Sequence, residues 1–565
     1  MNNNITIKKN IFRYQISNGE IVLKSRLRPW VKVIFGFFIL SIIVSFFLNV
    51  NFSFSSNGLG LFFNNIKDFF KASSISKEYG NQNLWLLSFK FLFESIKIIF
   101  FGTIVGVTLA LITAYFSNYK TNSKWIAFPF RSITIFLRIC PELLFVYLFS
   151  ATFDKILAIN LILSWSSWLW LHEYFSQSIE NANYTIYWHL TKSSHSKFKA
   201  FMTEIWPQIK QKVFGYIFYA FESNLRWSTI LSRLGFLGIG LLIVDPEKNT
   251  FSELLIPLFV LVTFTFLLEL FHLGWNKYII ASKSHSSNHK SYQKEKTLQT
   301  LVKVFVAIFC LIMVVLSIQS LIGQRFYPDQ GKDYLRSLFL PNWNELSLSG
   351  PENIFKIVYE LISLVAITIL VVFVISKLKL FFLNSKTNSK PKSIIFKLCN
   401  SFARTIPTIV LFFLIEPIFK LYPAAFVFAF AIHSASTLTK NLENSIQKIN
   451  QNQIVELKKQ GYSSLKIYRN FILPTIKKDT VTMFSFEIEK IIRNFITYGI
   501  FSSSLIGIKS TLSVSRTVAD IAPYLWIGAL LIALVNLLSI FIRLKAGEIN
   551  LLGIFSKKRK IIFGS

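Results

Sequence analysis

Acidic residues are scarce in this chain: 28 Asp and Glu stand against 61 Lys and Arg among 565 residues, for a formal net charge of +33. Carboxylates this sparse form no cluster suited to paired acid–base chemistry, and no G-x-S-x-G or H-E-x-x-H string is present. Cysteine is scarcer still. Cys140, Cys310 and Cys399 lie in or beside apolar runs without C-x-x-C spacing, which excludes a disulfide framework. His285 and His289 stand four apart, yet no third or fourth ligand accompanies them, so no metal site is expected. A phosphate-cradling Walker A loop is also missing; the nearest string, 499–510, has Gly507, Lys509 and Ser510 at the wrong spacing. The chain is expected to carry out no catalysis and to hold no cofactor of its own.

What it has in excess is apolar surface. Hydrophobic residues make up 52%, Phe alone numbers 60, and the mean hydropathy is +0.48, which places the chain among membrane proteins. Apolar runs long enough to cross a hydrocarbon core of about 30 Å recur throughout. They predict an all-α polytopic protein of twelve spans. Six fall near 30–50, 90–117, 130–152, 155–172, 211–243 and 252–273, and six near 299–322, 354–381, 394–418, 421–438, 478–508 and 521–543. Residues 1–24 are polar and mixed, so the first run reads as a retained span.

The excess of positive charge would suggest nucleic acid if it gathered on one face. Instead it gathers in alternate loops: Arg26, Arg28 and Lys32; Lys120, Lys124 and Arg131; the loop 174–210; Lys377, Lys379, Lys386, Lys390 and Lys392; the loop 440–478; and 557–560. By the positive-inside rule this puts both termini, the linker and both long loops in the cytoplasm, near anionic lipid. The linker, 277–298, is polar and Ser-rich and suits a flexible join between a first half, 1–276, and a second, 299–565.

The halves repeat one another. Arg138 and Pro141 recur at Arg404 and Pro407 with an offset of 266, while Pro207, Glu222, Arg226 and Gly240 recur at Pro474, Glu489, Arg493 and Gly507 with an offset of 267. So steady an offset through apolar filler implies two copies of one membrane unit around a pseudo-two-fold axis.

The most specific segment is 443–476. Its spacing of Ile446, Ile449, Ile454 and Leu457, then Gly461, Leu465 and Pro474, describes two short amphipathic helices joined at a glycine free to take a left-handed turn. Residues 455–474, VELKKQGYSSLKIYRNFILP, resemble the EAA loop of ABC importer permeases. The segments containing Arg138, Pro141 and Glu142, and Phe221, Glu222 and Arg226, are similar to the phosphonate-type branch. The resemblance covers most of each half.

That resemblance implies a fused permease with two ATPase subunits, which bind ATP and Mg, and an extracellular substrate-binding lipoprotein. Phosphonate-type relatives carry phosphonates and phosphate-like anions, and fused versions in wall-less bacteria look associated with thiamine or thiamine pyrophosphate. Glu456, Gly461, Leu465 and Pro474 are the positions implied for ATPase coupling, with Pro207 retained in the first copy. There Ser194 replaces the glycine and residues 188–190 replace the acidic start, so the first loop is expected to be degenerate.

Within the spans, Glu222 with Arg226 and Glu489 with Arg493 stand four apart on a helix, so each pair neutralises itself. Both Arg226 and Arg493 are candidates to face the translocation route and favour an anionic cargo. Packing alone is the alternative role. Arg138, Arg404 and Glu142 beside the prolines are candidates for the same route or for a plain kink. Two other classes of function compete: a secondary transporter driven by an ion gradient, which leaves the amphipathic loop unexplained, and a membrane lipid enzyme, which lacks convergent catalytic groups.

Overall fold

Asparagine opens the second long helix of each half. Asn83 Oδ1 accepts from the amides of Trp85 and Leu86 at the start of Leu84–Phe116, and Asn353 accepts from Phe355 at the start of Ile354–Leu383. The computed structural model describes residues 6–9, 13–17, 26–27, 29–193, 195–232, 235–243, 251–275, 289–350, 352–447, 449–499, 504–512 and 516–545. Strands are few: β1 (Thr6–Lys9), β2 (Arg13–Ser17) and β3 (Arg26–Leu27) form an antiparallel meander, and β4 (Ile75–Ser76) pairs with β5 (Gln82–Asn83). Every other regular element among the described residues is helical.

In the first half the helices are α1 (Pro29–Val50), α2 (Gly58–Phe70), α3 (Leu84–Phe116), α4 (Lys124–Ile139), α5 (Glu142–Thr152), α6 (Lys155–Glu180), α7 (Thr185–Lys192), α8 (Lys197–Ala200), α9 (Trp206–Leu231) and α10 (Phe251–Gly274). The second half has α11 (His289–Leu321), α12 (Pro328–Phe339), α13 (Ile354–Leu383), α14 (Lys390–Thr405), α15 (Thr408–Ile415), α16 (Tyr422–Gln447), α17 (Gln451–Lys459) and α18 (Ser464–Ile467). It closes with α19 (Leu473–Thr475), α20 (Lys477–Thr497), α21 (Leu505–Lys509) and α22 (Val518–Lys545). Helix α11 begins at His289, so the last ten residues of the linker expected to be flexible are helical; Lys277 to the residue before His289, with His285, lie outside the described residues. The basic tail at 557–560 lies outside them too.

The duplication is structural as well as sequential. Ser196 and Ser463 cap α8 and α18 by accepting from Lys199 N and Lys466 N, and each of those helices runs into a five-residue π turn, Phe201–Ile205 or Tyr468–Ile472. Asn118 and Asn384 each accept from the amide two residues on, at 2.7 and 3.0 Å. The bends also match. Pro141 and Pro407 hold Cys140 and Ile406 in the extended region, because the residue before a proline is barred from helical ψ, so α4–α5 and α14–α15 turn by 90° and 91°.

The first span of each half packs against the other half. Asn49 of α1 donates to Ser363 of α13 at 3.1 Å, and Ser317 of α11 donates to the Lys97 carbonyl of α3 at 2.7 Å. At the end of the bundle away from α7 and α17, Phe54 bridges to Phe419 and Phe153 to Phe326, with ring centroids 5.4 and 5.1 Å apart. Phe153 and Phe419 are themselves repeat equivalents. A continuous apolar core runs from Leu92 and Ile99 through Leu225 and Ile409 to Phe426 and Phe495.

Among the described residues six helices are long and apolar enough to cross a membrane, α1, α3, α10, α11, α13 and α22, or eight spans if each bent pair counts as one. Twelve apolar spans were expected. The other four, α6, α9, α16 and α20, run 26, 26, 26 and 21 residues, so length is not what they lack. They carry the charged and hydroxyl side chains, and they face each other. A helix whose polar face turns inward need not be apolar throughout.

Candidate translocation cavity and coupling loops

The four polar helices and the two bends enclose a cavity of about 720 Å³ between the halves. Arg138, Glu142, Glu222, Arg226, Arg404, Glu489 and Arg493 all line it. The structure thus brings every candidate pathway residue to one place. The i,i+4 pairs form as their spacing predicts: Arg226 Nη1 to Glu222 at 3.0 Å and Arg493 Nη2 to Glu489 at 3.0 Å.

Spacing alone does not reveal that the same carboxylates reach across to the other half. Arg138 Nη2 donates to Glu489 Oε1 at 3.0 Å, and Arg404 Nη2 stands 3.4 Å from Glu222 Oε1. Arg226 also donates to the Arg404 carbonyl at 3.2 Å. Two pseudo-equivalent clusters result, each with a glutamate between an arginine of its own helix and an arginine of the opposite bend. Such pairing offsets the heavy cost of taking these charges out of water.

The outer members of the clusters differ between copies. Arg138 holds Glu173 at 2.6 Å, whereas Arg404 holds Glu269 at 3.0 Å, and Lys440, the repeat equivalent of Glu173, also binds Glu269. The Asn536 amide, turned with its nitrogen toward Glu489, donates to both carboxylate oxygens at 3.0 and 2.8 Å. Glu173, Glu269 and Lys440 were missed from sequence. Their signal was available: each is a charge within or beside an apolar run. Seven basic side chains line the cavity, the four arginines with Lys212, Lys440 and Lys490, against six glutamates. The walls are unequal too, since Trp170, Tyr174 and Tyr219 of the first half stand where the second half has Thr437, Asn441 and Phe486.

The coupling candidates lie on a separate surface. Gly461 has φ of +80° and joins α17 to α18 through the left-handed turn that its sequence position predicts. Glu456 is exposed, Leu465 is 61% exposed, and Pro474 and Pro207 open helical segments after the two π turns. The elbow is fastened to the bundle: Ser464 donates to the Thr387 carbonyl at 3.0 Å and Tyr468 to that of Lys377 at 2.8 Å. Lys377 lies in the last turns of α13 and Thr387 in the loop that leads to α14, so the elbow is tied to the end of α13.

The first loop folds in the same way. Asn118 donates to the Tyr184 hydroxyl at 2.9 Å, and Tyr187 anchors α7 from beneath with 1% exposure, where burial and then the Tyr115 hydroxyl push its phenol up to about 12. Ser194 lies outside the described residues. Among the described residues no group of three metal-ligating side chains occurs.

Comparison with known proteins accords with this geometry. Residues 386–544 match the binding-protein-dependent transport system inner membrane component family. The "ABC transport system permease protein p69" of Mycoplasma pneumoniae is 30% identical over 430 residues, covering 74% of this chain and 78% of that protein. The chain belongs to this permease family. The p69 permease of Mycoplasma genitalium is 29% identical over 513 residues, 89% of this chain and 91% of the relative. Both relatives thus span both halves, whereas the family match falls in the second half alone. No solved structure matches. As an ABC permease the chain is a membrane-embedded transport subunit, not an enzyme, and works with ATPase and substrate-binding partners. An ion-driven transporter and a lipid enzyme are set aside by that membership.

Proposed function

We propose that this permease imports an anionic phospho-compound, a phosphonate or thiamine pyrophosphate, handed to it by an extracellular binding lipoprotein. Two ATPase subunits grip α7 and α17 on the cytoplasmic side. Closure of those subunits pushes the two elbows together, and the bends at Pro141 and Pro407 turn that motion into separation of the far ends.

The observation that carries this reading is the convergence of four arginines, two from each half, on one cavity at the bends. Guanidinium groups suit phosphate oxygens because their fork of donors matches two oxygens at once. In this arrangement Glu489 holds Arg138 and Glu222 holds Arg404 across the two halves, while the same carboxylates hold Arg493 and Arg226 on their own helices. Separation of the halves breaks the cross-half contacts, which frees Arg404 from both Glu222 and Glu269 and leaves Arg138 with Glu173 alone, so that both can turn toward cargo.

Cargo competition tests the reading. Uptake of radiolabelled thiamine pyrophosphate into vesicles holding the full complex is expected to be blocked by an excess of unlabelled compound or of a phosphonate. Undiminished uptake in the presence of both, or uptake of uncharged solutes alone, would contradict it.

A further inference from the structure

Residues at the 267-residue offset ought to line the cavity alike, and along one strip they do not. The first half presents Trp170, Tyr174, Tyr216 and Tyr219 where the second presents Thr437, Asn441, Met483 and Phe486. The four rings of the first half form one cluster. Trp170 stacks on Tyr219 with centroids 5.2 Å apart and meets Tyr174 at 4.7 Å, and Tyr174 meets Tyr216 at 4.9 Å. All four are half-buried, so aromatic surface is left to the cavity.

Across from these rings the second half supplies an acid. Glu487 lines the same cavity and is 8% exposed. Glu173, Glu222, Glu269 and Glu489 each meet an arginine at 2.6 to 3.0 Å, whereas Glu487 meets none among the described residues. Its ion-pair contact is Lys490 on the next turn, at 3.8 Å, and its Oε2 has no hydrogen-bond partner among the described residues. Tyr174 lies within electrostatic reach of this carboxylate across the halves. The repeat equivalent of Glu487 is Ala220, so the fold itself needs no acid there.

A buried carboxylate without a close cation is costly, and an intramembrane acid in that position points to a ligand. Aromatic surface beside a carboxylate suits a weakly hydrated organic cation, drawn both by the ring faces and by the charge. A metal ion would need several hard ligands, and no group of three metal-ligating side chains occurs among the described residues. The anion-binding groups are close at hand. Glu487 stands two residues from Glu489, the partner of Arg138, which is about 3 Å along the axis of α20.

We infer that Glu487 with Trp170, Tyr174 and Tyr219 forms a single organic-cation site, and that the cargo carries both charges: a cationic group seated there and a phosphate arm on the arginines. This rests on the arginine reading given under Proposed function and narrows it. Thiamine pyrophosphate, with its charged ring nitrogen, qualifies; a phosphonate without a cationic group does not. Because the second half has no counterpart of the site, the cargo crosses in one orientation, with its cationic end between α6 and α20.

Proteoliposomes holding the permease, its ATPase and its binding protein supply the test. Uptake of radiolabelled thiamine pyrophosphate is set against uptake of its deaza analogue, in which carbon replaces the charged ring nitrogen. Glu487→Gln is expected to lower the ratio of the two uptake rates about tenfold and to leave uptake of the analogue unchanged. The binding protein is the same throughout, so a change in the ratio belongs to the permease. No arginine loses a partner in this variant, and Glu487→Asp, which keeps the charge, restores part of the ratio. Trp170→Thr, which copies the second half, lowers it by about threefold. A ratio that Glu487→Gln leaves unchanged, an equal fall for both compounds, or uptake of a phosphonate to the exclusion of both would overturn the inference and leave the arginine reading standing. That reading fails separately if Arg138→Gln takes up both compounds at the wild-type rate.

Discussion

Arg138 of the first half and Glu489 of the second lie 351 residues apart in sequence and 3.0 Å apart in space. Glu489 is 7% exposed and also holds Arg493, so its removal takes the ion pair from a largely buried Arg493 and leaves Arg138 with Glu173 alone. Replacing Glu489 with Gln is expected to destabilise the permease by about 3–5 kcal/mol, the range for breaking a buried pair. Thermal unfolding of the detergent-solubilised chain checks this. The double variant Arg138→Met with Glu489→Met should recover part of the loss, which a purely local i,i+4 pair would not allow.

Glu222 is the equivalent residue in the other copy, and Arg404 beside it is 2% exposed. Arg404→Lys keeps the charge but puts a shorter, point-like ammonium in place of the guanidinium whose Nη2 meets both Glu222 and Glu269. Its expected effect is a lowered transport rate with normal amounts of folded protein, whereas Arg404→Met should reduce the folded protein as well. Membrane content and uptake, measured side by side, separate the two.

Gly240 and Gly507 both sit where backbone meets backbone. A Cβ on Gly240 would lie 2.5 Å from Thr229 Cα, and one on Gly507 would lie 2.1 Å from Gly499 Cα. Backbone cannot give way as a side chain can. Either Gly→Ala change is expected to cost at least about 1–3 kcal/mol, the range for overpacking, and to lower the melting temperature.

Gly461 presents the opposite case. Nothing lies within 4 Å of its added Cβ, so only the +80° φ resists substitution. Gly461→Ala should cost about 1 kcal/mol locally and leave global melting unchanged, while Gly461→Asn, which tolerates the left-handed region, should behave as wild type. The readout is the number of ATP hydrolysed per molecule transported, which rises if the elbow loosens.

The duplication was legible in sequence because Arg, Pro and Glu at span depth have few tolerable places, so Arg138, Pro141 and Glu222 hold a fixed offset to their repeats. The left-handed turn at Gly461 was legible for a similar reason: a glycine between two amphipathic stretches has one obvious use. Other features were hidden. The pairing of Glu489 with Arg138 was masked by Arg493, four residues on, which already accounts for the charge. Packing of α1 on α13 was invisible because a lipid-facing apolar helix carries little information about its neighbour. Helices α6, α9, α16 and α20 fall below span-like apolarity because Glu173, Arg226, Lys440 and Glu487 face the cavity rather than lipid. The first loop looked degenerate when judged by its lost acidic start; its cap at Ser196 and its anchor at Tyr187 hold the shape without it.

The central claim is that nucleotide-driven subunits acting on the Gly461 elbow move the two halves around one cavity. Its most direct test is cargo uptake by proteoliposomes containing the permease, its ATPase and its binding protein, with ATP supplied on one side at a time. The account predicts transport only when ATP is on the face that carries Gly461 and the binding protein is on the other. Uptake that follows a proton or sodium gradient without nucleotide would contradict it.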